Sequence, residues 1–69
     1  MSLTWQDVED IAFELAQAHP DEDPANVALP ELLRLVTDLD DFEDDPERAD
    51  EKTLERISRA WKDELAQRA

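Results

Sequence analysis

The chain has 69 residues, with seven Lys and Arg against 20 Asp and Glu, and a formal net charge of −13. It contains neither glycine nor cysteine, which excludes phosphate-cradling loops, dinucleotide fingerprints, disulfides and an iron-sulfur cluster held on thiolates. Folding a chain this short buries only about 60% of its unfolded surface, so one domain over residues 1–69 is expected, without a deep cleft, and its charge repels nucleic acid and anionic lipid while favouring basic protein surfaces or cations.

In chain order, Thr4 followed by Asp7 reads as a helix N-cap with a weak capping box, and Leu3 and Val8 fall at hydrophobic-staple positions. Val8, Ile11, Ala12 and Leu15 then recur at helical spacing, which predicts a first helix ending near Ala18. Trp5 falls in its first turn, where core-edge packing is expected, and Phe13 lies off the stripe as an exposed contact. Pro20 and Pro24 enclose Asp21, Glu22 and Asp23 in an extended loop or turn. Residues 26–29 read as a short extended piece, and Pro30 suits the first turn of a second helix. That helix has Leu32, Leu33, Val36 and Leu39 as its apolar side and ends near Leu39.

Nine of the fourteen residues 38–51 are acidic, Arg48 is the one basic residue among them and Pro46 breaks the run, so the segment reads as a charged loop around a solitary Phe42. Asp50 is the expected N-cap of a third helix, with Leu54, Ile57, Trp61 and Leu65 as the buried seam. Glu51, Lys52, Glu55, Arg56, Arg59 and Lys62 make its charged outer face. The expected fold class is mainly α, a small three-helix domain with at most very short strands.

No catalytic residue is expected. Ser2 and Ser58 are the only serines and His19, directly before Pro20, is the only histidine, so nucleophilic triads find no support; His19 more simply complements the dipole at a helix C-terminus. The acidic loop carries the strongest functional signal, because carboxylates held close together repel one another unless a cation or a basic partner neutralises them. Solvated surface is the bland alternative for such runs. Phe42 either pins the loop to the core or anchors a partner, the former being favoured. A calcium EF-hand starting at Asp38 fails, since Phe42 and Glu43 occupy the positions of a ligand and of the required glycine. What remains is an all-oxygen set suited to weak binding of Mg²⁺, Mn²⁺ or Fe²⁺. No apolar run is long enough for a membrane span and no secretory signal is seen, so a cytoplasmic protein is expected. Self-repulsion favours a monomer.

Three motifs stand in register: Leu-x-Trp-x-Asp at Leu3 to Asp7, Pro-Asp-x-Asp-Pro at Pro20 to Pro24, and Asp-Leu-x-Asp-Phe-x-Asp-Asp-Pro at Asp38 to Pro46. With Glu51-Lys52, Leu54-Glu55, Ile57 and Trp61-x-Asp63-Glu64 after them, the chain resembles the IscX (YfhJ) family over nearly its whole length. The resemblance implies a compact helical fold related to the winged helix and a role as an adaptor in iron-sulfur cluster assembly. It also implies docking on the cysteine desulfurase IscS near where bacterial frataxin binds, with modulation of its activity, and weak, labile binding of Fe²⁺. The matching positions are Asp38, Asp41, Asp44 and Asp45, with Asp40 and Glu43 keeping acidic character, as expected metal ligands. Asp21, Asp23, Asp41, Phe42, Asp44, Asp45 and Glu47 are the expected partner contacts. A departure is the polar outer face of the third helix at Arg56, Ser58, Arg59 and Lys62. The alternative reading is an acidic interaction protein that mimics nucleic acid in a basic groove, with no role for metal.

Overall fold

A computed structural model describes residues 2–68. Without glycine, turns at negative φ are favoured, and among the described residues none has a positive φ. Proline and short Asp-capped turns carry that task. Helix α1 is Val8–Ala18, α2 is Leu29–Thr37 with proline in its first turn, and α3 is Glu51–Arg68. Single 3₁₀ turns at Pro24–Asn26 and Pro46–Arg48 lie in the two connections, and in each the preceding aspartate accepts a backbone N–H. Asp23 takes the N–H of Ala25 at 3.0 Å and Asp45 that of Glu47 at 2.9 Å. Asp50 fulfils the expected cap of α3 by accepting the Thr53 N–H at 2.7 Å.

Helix α1 starts one turn later than Thr4 predicts. Residues 4–7 instead form a tight turn in which the Asp7 N–H donates to the Thr4 carbonyl at 2.9 Å, and the Thr4 N–H donates back to the Asp7 carboxylate at 3.0 Å. The Thr-x-x-Asp signature therefore makes its backward half, closing a turn ahead of the helix rather than capping its first residue. This leaves Leu3 in the N-terminal segment and Trp5 within the turn, both buried.

The buried side chains form one cluster. Ile11, Ala12, Leu15 and Ala16 of α1 meet Ile57 and Trp61 of α3, all fully enclosed, with Leu32 and Val36 of α2 closing one side. Each large apolar side chain so placed contributes about 1.5–3 kcal/mol relative to exposure. The predicted helical stripes thus supply the core, with Val8, Leu33, Leu39 and Leu65 half-buried at its margin. Leu3, Trp5 and Phe42 complete it from outside the helices. Phe13 is exposed, and Arg68 lies over its ring at 5.2 Å. The Trp61 indole N–H is buried with no acceptor, and His19 packs edge-on to the Trp61 ring at 6.5 Å. Among the described residues no charged side chain is buried, and no helix is long and apolar enough to cross a membrane.

Candidate functional site

The acidic loop is not a free tether. Its backbone pairs with the N-terminal segment in an isolated parallel bridge, Leu3 to Phe42. The Leu3 N–H donates to the Asp41 carbonyl at 2.7 Å, and the Glu43 N–H donates to the Leu3 carbonyl at 2.9 Å. Trp5 adds three contacts. Its backbone N–H donates to Asp44 Oδ2 at 3.1 Å, its indole N–H to the Asp45 carbonyl at 2.7 Å, and its ring meets Phe42 edge-on at 4.6 Å. The Ser2 hydroxyl donates to the Glu43 carboxylate. Residues 2–5 therefore clamp residues 41–45. An ordered loop presents its charges without the entropy loss that a disordered one would incur on binding.

The expected site residues divide by the work they do. Asp44 is half-buried and both its oxygens are engaged, Oδ2 by Trp5 and Oδ1 by the Asp45 N–H at 2.7 Å. Those two backbone N–H groups hold its carboxyl below the usual carboxylate range, and the Arg48 charge adds to the effect. Asp45 caps the 3₁₀ turn through its side chain and receives the Trp5 indole on its carbonyl. Asp23 is likewise a cap, on a separate turn that packs against α3, with exposed Asp21 nearby in the chain. Asp38 follows α2 directly, and Asp40, Asp41 and Glu47 are exposed. Phe42 is 9% exposed and lies in the core, the role favoured for it over a partner anchor. It anchors the loop to the core.

The six acids expected to hold iron do not converge. Asp38, Asp40 and Asp41 line one shallow groove with Glu14 and His19, whereas Glu43 and Asp44 line another with Thr4, Trp5 and Arg48. Phe42, turned inward between them, separates the two groups. Carboxylate oxygens suit Fe²⁺ chemically. Yet among the described residues no three His, Asp or Glu side chains are grouped so as to hold a metal ion, and Asp44 is already satisfied by N–H donors. Among the described residues the donors are present without a preformed cage.

Sequence reasoning missed the N-terminal clamp. Its trace was limited to Leu3 and Trp5, large apolar residues ahead of the first helical stripe, and to a lone Phe42 that needed an apolar neighbour.

The fold and loop define a small three-helix acidic domain whose surface feature is a carboxylate-rich loop tied down by the N-terminal segment. The family model described as iron-sulphur cluster assembly matches residues 3–66, and the chain belongs to that family, the IscX (YfhJ) family its motifs resemble. A relative from Pseudomonas aeruginosa, "Uncharacterized protein PA3808", is 47% identical over 64 residues, covering 93% of this chain and 97% of its own length.

Proposed function

We propose that this protein is an adaptor of iron-sulfur cluster assembly that docks its clamped acidic loop on a basic surface of the cysteine desulfurase and modulates its output. Family membership supplies the process. The single observation that carries the docking surface is the clamp itself, which fixes Asp40, Asp41 and Glu47 in an exposed array beside the buried Phe42. Carboxylates arranged in this way act over a Debye length of about 8 Å at physiological salt, steering encounter with Arg and Lys and fixing register on contact. No catalytic step is assigned to the chain. Docking is proposed through the carboxylates, which among the described residues are not grouped as an enclosing set for Fe²⁺.

The test is calorimetric titration into a bacterial cysteine desulfurase at low and moderate salt. Asp41→Lys/Glu47→Lys is the decisive variant, since Asp44 cannot be reversed without also breaking the clamp. Salt-sensitive binding by the parent, weakened at least tenfold in the variant, supports the reading; equal affinity and equal salt dependence would refute it. Repeating the titration with anaerobic Fe²⁺ tests metal coupling, and the expected change is smaller than that caused by charge reversal.

A further inference from the structure

Charge is distributed unevenly over the fold. Five of the seven Lys and Arg lie in α3 against four of the 20 acids, so α3 carries a formal charge of +1 while the rest of the chain carries −14. Four of the five, Lys52, Arg56, Arg59 and Lys62, recur at steps of four, three and three and are all exposed. These steps place them along one stripe, opposite the seam of Leu54, Ile57 and Trp61 that faces the core. Glu55 and Asp63 interrupt the stripe, which leaves a surplus of two positive charges in a fixed register. Beside it, a groove between α3 and the Pro24–Asn26 turn puts Pro24, Ala25 and Leu29 next to Arg59 and Lys62, with Glu55 and Asp63 also in its lining, so the surplus charge belongs to the stripe and not to the groove.

We propose that this outward face of α3 is a second docking surface, one that receives an acidic segment of a partner protein. It is independent of what the acidic loop binds. Cations spaced three and four apart match carboxylates on a helical or extended acidic segment, and the small apolar wall next to Arg59 and Lys62 accommodates one apolar side chain of that segment. Nucleic acid fits less well. Its long run of phosphates would also meet the −14 elsewhere on the molecule, whereas a short segment stays within a Debye length of the stripe. The groove offers no aromatic ring on which a base could stack. The molecule would then be two-faced, its loop engaging a basic partner and α3 an acidic one.

The test is amide chemical-shift mapping of the ¹⁵N-labelled protein titrated with a short oligo-glutamate peptide and, separately, with single-stranded oligothymidylate. At physiological salt, where the Debye length is about 8 Å, the peptide is expected to shift the amides around Lys52, Arg56, Arg59 and Lys62, and salt raised towards about 1 M should abolish the shifts. Arg56→Glu/Arg59→Glu should weaken peptide binding roughly tenfold, with Arg34→Glu on α2 leaving it unchanged. Should the reversed variant fail to fold, Arg56→Gln/Arg59→Gln decides the point with a smaller expected loss. No shifts, shifts outside α3, or stronger shifts with oligothymidylate than with the peptide would each overturn the proposal.

Discussion

Replacing Phe42 by alanine is the sharpest perturbation of the clamp. Its ring is buried, packs edge-on to Trp5 at 4.6 Å, and sits on the residue whose neighbours bond to Leu3. Truncation leaves a cavity and removes the aromatic pair, and Phe→Ala changes in cores cost about 3–5 kcal/mol. A chain of this length has a total stability of only about 3–10 kcal/mol at roughly 0.05–0.15 kcal/mol per residue, so the variant stands at the margin of folding. At about 4–8 °C per kcal/mol for a small domain, Tm should fall by at least about 12 °C, measured by circular dichroism. Phe13→Ala is the control, because it loses only an exposed ring beneath Arg68 and is expected to cost about 0.5–1 kcal/mol. Equal losses in the two variants would refute the claim that Phe42 is structural while Phe13 is not.

Three further outcomes follow from the same geometry. Asp44 is favoured as a carboxylate in the fold, so its contribution is present above the ordinary carboxylate range and is lost as pH falls through its lowered value. Asp44→Asn should therefore melt below the parent at neutral pH, and the difference should shrink towards zero in acid; a gap independent of pH would contradict the assignment. Trp61→Phe relieves a buried N–H that has no acceptor and should cost no more than about 1.5 kcal/mol, against about 3–5 kcal/mol for Trp61→Ala, as read by denaturant titration. Screening of the −13 charge should raise Tm as NaCl is added; a Tm indifferent to salt would count against crowded carboxylates.

The helical part of the fold was legible because its signals are local. The stripes Ile11, Ala12, Leu15 and Leu54, Ile57, Trp61 reach the core as spaced, and Asp50 caps α3 as its position implied. The start of α1 was misplaced because Thr4 and Asp7 satisfy a capping pattern that also describes a free-standing turn. The clamp was illegible for a different reason. It joins residues about forty apart through backbone groups, and no composition or period records that Leu3 will pair with Phe42. In the acidic loop, charge alone could not separate carboxylates that organise the turn, Asp44 and Asp45, from those left exposed to solvent, Asp40, Asp41 and Glu47. Backbone N–H donors make that division, and only their positions in the fold reveal it.

The most direct test of docking through the clamped loop is an amide spectrum of the labelled protein with and without unlabelled cysteine desulfurase. Perturbation confined to residues 38–47 and to residues 2–5, with the outward face of α3 unchanged, is the predicted result. Perturbation absent from the loop, or centred on α3, would contradict it.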